Sequence, residues 1–551
     1  MTTLGEQDTA PRGGPPVTRA TLPVAPLPAP PAPRAVLALG RGWRLLLAVV
    51  VALLVGGGLV ARLGLVGGDA IGAADNGDAI RLYCVADLVP DTDDHAAPGH
   101  GVAVTEYRTG GPGCWRASPI TSAGLLLQAT VAAGTALDAT LNATPPAQDG
   151  STRFSFEWLA GVYVALFALG AAVAAFAATA GRRARAVAPV LLTVLGPPLA
   201  PLLVVPWWSR FLVSAFSEAT GLLGATWMVW GLLTAALTRP AQRAARLTAI
   251  ALVAVGGVTA ATAKPGFLPV GLVAVAACAV VAVGVRPWRR RVPGLVAAVL
   301  AAAVAVVPVL SAVRAQDEAY AVVNAHNLAF TAVLPEAGPS ATGPLGLRPE
   351  AFAQSGQHFY LDGGRSIPAW DETVGARPEE LRSAARLFVA EHPLVAARMV
   401  HRGLLATLRP QIPYLATETG GARTITGSIP RPAYPEGSQT MGAMFVYLDG
   451  LPGRWVPPTV LGLAVLAALL TVVLPRRVRG SARWAAAIGP ARVAGVLAVT
   501  ALGVVVVAVL GDGYCELAKH VWLGSYALVV AGTVLVAALG GAVAGAAAAR
   551  T

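Results

Sequence analysis

Apolar runs of about 18 residues or more recur along the chain, and each is long enough for the roughly 20 residues a helix needs to cross a bilayer. Of 551 residues, 55% are hydrophobic and only 13% charged. A chain of this kind is an all-α polytopic membrane protein with about ten transmembrane helices. The expected spans are 45–66, 157–180, 187–207, 220–238, 247–263, 267–285, 292–313, 456–475, 487–510 and 522–547. Residues 1–40 are rich in Pro, Ala and Gly and read as a disordered cytoplasmic tail. The remainder divides into a membrane domain (41–313) with a first outer loop (67–156), an extracytoplasmic domain (314–455) and C-terminal spans (456–551).

Charge orients the spans. The turns after the second, fourth, sixth and eighth spans contain RRAR, RPAQRAAR, RPWRRR and RRVRGSAR, with no Asp or Glu. Basic turns of this kind stay in the cytoplasm. Both termini are then cytoplasmic, and nearly every carboxylate, with all seven His, falls on or at the border of the outer side. No phosphate-cradling Gly-rich loop followed by Lys occurs, so ATP-driven cytosolic chemistry is not expected. No nucleic-acid partner is expected either.

Candidate chemistry therefore lies in the outer segments. Asn76-Gly77-Asp78 follows the first span. The Asn-Gly turn would hold the Asp78 carboxylate near the membrane edge, with Arg81 one helical turn on. Asp78 reads either as a base on an acceptor hydroxyl or as the cap of a short helix. Glu218 opens the fourth span, where a buried carboxylate needs a partner. Lys264 sits in a tight Ala-Lys-Pro turn. In the segment 511–523, Asp512, Glu516, His520 and Gly524 recur every four residues. Such spacing predicts one helical stripe about 12 Å long from Asp512 to His520. Glu516 and His520 could chelate a divalent metal ion, or the stripe could be a polar helix start among headgroups. Asp91, Asp93, Asp94 and His95 read as a metal cluster or as a solvated acidic loop.

Of 41 basic residues only two are Lys, Lys264 and Lys519, and both fall in these outer segments. A compact ammonium binds a phosphate oxygen as a point charge. Cys84 and Cys114 share the first outer loop, where a disulfide is permitted; free thiols are the alternative. Residues 378–391 and 393–409 read as helices broken at His392-Pro393. Arg398, Arg402 and Arg409 line the second helix as a basic stripe, suited either to anionic membrane lipids or to packing on its own domain.

The segments NGDAIRL (76–82), SAFSEA (214–219), AKP (263–265), NLAFTAVLPEAGPSATGPLGL (327–347), LRPQIPYL (408–415) and GDGYCELAKHVWL (511–523) carry a resemblance. The chain resembles GT-C membrane glycosyltransferases, and within them bacterial surface (S-layer) glycan hexosyltransferases of the WsfD-like family. The resemblance implies transfer of a hexose from a polyprenyl-phosphate-linked donor to a cell-envelope glycan or glycoprotein acceptor. It implies Asp78 as base or acceptor organiser, with Glu218, Asp512, Glu516 and His520 holding acceptor hydroxyls or a metal. Arg81, Lys264, Arg409 and Lys519 are the candidates for the lipid phosphate. A transporter or flippase of lipid-linked saccharides, or a scaffold for envelope assembly, are the other classes open to such a chain.

Overall fold

The computed structural model describes residues 39–550 except 68–69, 75–77, 92–103, 115–118, 142–150, 287–288, 361–363, 413–414, 416, 420–449, 451, 480 and 482–483. The turn dipeptide Asn76-Gly77, the acids Asp93 and Asp94 with His95, and the tail 1–38 lie outside the described residues. The described chain is mostly helical. Its main helices are α1 (Arg41–Leu63), α2 (Ser122–Leu141), α3 (Phe156–Ala178), α4 (Val187–Val204), α5 (Glu218–Leu237), α6 (Arg243–Ala263), α7 (Leu268–Val280) and α8 (Val292–Asn327). They continue with α9 (Pro378–Glu391), α10 (Pro393–Ala406), α11 (Val456–Val473), α12 (Ala485–Asp512) and α13 (Trp522–Arg550). Nine helices among the described residues are long and apolar enough to cross a membrane. The protein is an all-α polytopic membrane protein.

The expected sixth span, 267–285, departs from a full-length helix. It is the 13-residue α7, ended at Val281 by extended backbone. A helix of that length rises only about 20 Å. Extended residues finish the traverse, because each advances about 3.3 Å. Gly284 N–H donates to Pro240 O at the start of α6, 2.7 Å away. Thus α7 and residues 281–284 together return the chain along the whole of α6.

The Arg-rich turns meet at that same end and have defined structural partners. Arg182 donates to the Leu237 carbonyl. Arg246 donates to the carbonyls of Ala235 and Thr238, each at 2.7 Å. These cations close the C-terminal carbonyls of α5, which lack helical partners and carry the negative end of its dipole.

Two small sheets lie between helices. β1 (Ile71–Ala73) pairs with β5 (Thr417–Thr419), while β2 (Leu88–Pro90), β3 (Glu106–Thr109) and β4 (Arg153–Ser155) form an antiparallel set. A disulfide between Cys84 and Cys114 ties the approach to β2 to the segment after β3. Asp91 bonds Arg108 at 2.8 Å and approaches Arg153 at 3.4 Å, closing the edge of this sheet. α9 and α10 meet at His392-Pro393, where Pro removes the donor that a continuous helix would need.

One core runs through α1 and α3–α7 into α12 and α13. A second gathers residues 325–406 around the far end of α12 and residues 514–521. The basic stripe of α10 serves this second core. Arg398 and Arg402 reach the buried carboxylate of Glu336 at 3.3 and 2.7 Å. Of the two readings of that stripe, packing on its own domain is the one observed for these two residues.

Candidate functional site

Four remote segments bring their charged residues to one end of the bundle, opposite the Arg-rich turns. The first pair is set by helix packing. α5 and α6 are antiparallel and cross at Gly224 and Gly256. A Cβ on Gly224 would stand 2.5 Å from the Gly256 carbonyl, and one on Gly256 would stand 2.5 Å from that of Gly224. Small residues at such crossings let backbones touch. The close hairpin places Glu218, first residue of α5, beside Lys264, the residue after α6. Their side chains bond at 2.8 Å. The Glu218 side chain is 2% exposed and Ser217 approaches its other oxygen at 3.4 Å. A lone carboxylate buried this deeply would be costly, so Lys264 is the partner that permits it.

Asp78 lies two residues before the short helix Ile80–Tyr83. One of its oxygens pairs with Arg81 at 2.8 Å and the other with the Lys519 ammonium. Lys519 is 3% exposed and also bonds Glu516 at 3.0 Å. The Arg81 guanidinium lies over the Tyr320 ring, 4.4 Å from its centre.

The segment 511–523 is not the continuous helix that its spacing predicts. α12 stops at Asp512; Gly513 (φ 57°) and Glu516 (φ 48°) take left-handed backbone, and a single turn, Leu517–His520, precedes α13. A Cβ at Gly513 would meet the Asn327 carbonyl at 2.4 Å, so the turn passes directly against the end of α8. This reversal has a consequence that a helix forbids. Asp512 and His520 would lie about 12 Å apart on one helix; here His520 Nε2 approaches Asp512 Oδ2 at 3.3 Å. Tyr514 N–H donates to Thr331 Oγ1 at 2.8 Å, and its hydroxyl donates to Glu336 at 2.9 Å.

Asn327 holds the other face of Asp512. Its amide donates to Asp512 Oδ1 at 2.7 Å, and its amide oxygen accepts from Phe359 N–H at 2.9 Å. It sits where α8 passes into one stretch of π-helix, Leu328–Val333, a local rewinding often found at functional sites.

These pairs form one electrostatic cluster. Burial and the Asp512 charge push the Glu516 carboxyl up to about 7, against Lys264 and Arg81, which favour its ionised form. Burial holds the His520 imidazole below its ordinary value, with Lys264 and Lys519 acting in the same sense and Asp512 opposing. Thus Asp78, Arg81, Glu218, Lys264, Asp512, Glu516, Lys519 and His520 come together. The remaining candidate for the lipid phosphate is Arg409. It is buried beyond the end of α10, on the flank where Thr407 accepts from Ser525 at 2.7 Å. No group of three or more His, Cys, Asp or Glu among the described residues has the arrangement of a metal site.

Sequence reasoning did not single out Asn327, Tyr320 or Tyr360, although Asn327 opens the segment 327–347. Asn324, His326 and Asn327 are the polar residues of an apolar stretch, which was a further signal. The tyrosines carried none.

A family model described as the YfdI N-terminal transmembrane domain matches residues 41–375. The chain belongs to this family. The YfdI-type region contains Asp78, Arg81, Glu218, Lys264 and Asn327, while Asp512, Glu516, Lys519 and His520 lie beyond it. No curated protein and no solved structure matches the chain.

Proposed function

We propose that the protein is a membrane glycosyltransferase that moves a hexose from a polyprenyl-phosphate-linked donor to a glycan or glycoprotein acceptor of the cell envelope. The YfdI-type family is one of GT-C-like, glycosyltransferase-associated membrane proteins, which supports this class. The WsfD-like resemblance supports the hexose and the lipid-linked donor. The observation that carries the reading is the pairing of Asp78 with Lys519 and Arg81, beside Glu218–Lys264, at the ends of the helices. A transporter would instead need its polar groups near the middle of the spans.

In this reading the donor phosphate enters as a competing anion. It displaces Asp78 from Lys519 and Arg81 and so frees that carboxylate, while Lys264 adds its charge and keeps its bond to the buried Glu218. Asp78 then accepts the proton of the acceptor hydroxyl as the acceptor oxygen attacks the anomeric carbon. The bond from that carbon to the phosphate oxygen breaks with its electron pair on the phosphate. Fixed cations stabilise the charge that develops there. Glu516 and His520 hold acceptor hydroxyls, with Asp512 and Asn327 orienting His520. The Arg-rich end faces the cytoplasm and the cluster faces outward.

Asp78→Asn keeps shape and removes the base. Transfer from a polyprenyl-phosphate hexose should fall by about 10²–10⁴-fold, while donor binding persists. Unchanged transfer in this variant would remove Asp78 from the reaction.

A further inference from the structure

Beside the cluster stands an aromatic group that the reaction scheme does not use. Tyr360 is 56% exposed. Its ring meets Phe359 edge-on at 5.2 Å, and Phe359 packs on Trp370 at 5.9 Å, with the Arg365 guanidinium 4.9 Å from the Phe359 ring centre. Trp370 is itself anchored, since its indole N–H donates to His326 Nδ1 at 3.0 Å. Tyr360 therefore rests on a braced aromatic stack rather than on a free loop tip.

That stack is keyed to the acids. Phe359 N–H bonds Asn327, and Asn327 bonds Asp512. The Tyr360 phenol lies within electrostatic reach of Asp512, Arg81 and Tyr320. Tyr320 in turn carries Arg81, the partner of Asp78. Two tyrosines thus flank the cluster: Tyr320 is tied to Asp78 through Arg81, and Tyr360 to Asp512 through Phe359 and Asn327.

We propose that Tyr360 and Tyr320 form a platform for a pyranose ring of the acceptor, its C–H face on the aromatic rings and its hydroxyl rim toward Asp512 and Glu516. The proposal rests on the glycosyltransferase reading and names the chemistry of its acceptor. A pyranose has one apolar face of C–H groups and a rim of hydroxyls, and a ring with a polar handle matches both. The hydrocarbon tail of the donor is the competing occupant. It would need a continuous apolar wall, whereas charged Arg81, Arg365 and Asp512 interrupt these rings.

The test uses the full chain in lipid nanodiscs, with methyl hexopyranosides of the gluco, manno and galacto series as probes in saturation-transfer NMR. At least one probe should bind. Tyr360→Ala should weaken it by about five- to tenfold, the scale of one aromatic contact. Tyr360→Phe, which keeps the ring, should stay within about threefold of wild type on the same scale. No probe binding to wild type, or equal binding by wild type and Tyr360→Ala, overturns the platform. So does a Tyr360→Ala loss confined to farnesyl phosphate, which would assign the rings to the donor tail. Asp78→Asn separates the two readings. If it abolishes transfer while Tyr360→Ala leaves the hexoside bound as before, the platform fails and the transferase reading stands. If Tyr360→Ala loses the hexoside while Asp78→Asn transfers normally, the sugar platform stands and the assignment of the base fails.

Discussion

Two carboxylate clusters share the turn 513–516, and they are built on opposite plans. Around Glu336 a single buried acid meets Arg398, Arg402 and the Tyr514 hydroxyl. Positive charge is in excess, and the acid joins α10 to the turn after α12. On the other side of the same turn, Asp78, Glu218, Asp512 and Glu516 face Lys264, Lys519 and Arg81, with His520 among them. There acids outnumber the permanent cations, and one of them, Glu516, is driven to about 7 by burial and by Asp512. A cluster whose charges are mutually closed holds a fold together. A cluster left with strained protonation beside an exposed aromatic is suited to chemistry.

The largest effect that separates the plans is on stability. Glu336→Ala leaves Arg402, whose side chain is only 17% exposed, without its carboxylate. Breaking such a pair costs about 3–5 kcal/mol. Thermal unfolding in detergent should show this loss. A Glu336→Ala protein as stable as wild type would mean that the closed cluster holds nothing.

Much of this architecture is legible from local signals. Apolar runs read as spans because the length a bilayer demands is a property of consecutive residues. His392-Pro393 reads as a break because Pro acts on its own neighbours. Glu218 and Lys264 are visible as candidates because each sits at the end of an apolar run, yet their 2.8 Å bond depends on a Gly224–Gly256 crossing that no local pattern announces. The segment 511–523 misleads for the opposite reason. Its four-residue spacing is a sound helical signal, but tertiary contacts override it. Thr331 and Glu336 hold Tyr514, and Lys519 holds Glu516, so Glu516 keeps a left-handed backbone that its own side chain disfavours. Asn327 and Tyr360 were hidden because their importance lies in which remote residue they touch.

A smaller effect sharpens the comparison through pH. Glu516 has its carboxyl raised from 4.5 to about 7 in the fold. Between these values the folded protein binds a proton that the unfolded chain releases. The contribution of this group to stability is therefore present at low pH and lost as pH rises through about 7. Relative to wild type, Glu516→Gln should gain about 2 kcal/mol more stability at pH 8 than at pH 5, after allowance for the Lys519 pair. If ionised Glu516 accepts from an acceptor hydroxyl, transfer by the wild type should rise through the same range, and the Gln variant should lose that limb. Identical pH profiles for the two proteins would place Glu516 with the structural carboxylates.

The smallest effect probes the wall between the clusters. Tyr514 bonds Glu336 from the turn that also carries Glu516. Tyr514→Phe keeps the buried ring and removes a hydroxyl. Glu336 retains both arginines, so no acid is orphaned, and the expected cost is that of one hydrogen bond, about 1 kcal/mol. The turn keeps its Thr331 contact through the backbone of residue 514. Transfer should then change by less than about threefold, the range a loss of 0.6 kcal/mol spans. A fall comparable to that of Asp78→Asn, with little change in unfolding temperature, would show that the hydroxyl sets the position of Glu516. The closed cluster would then be a support for the reacting one rather than a separate brace, and the two plans would have to be read as a single device.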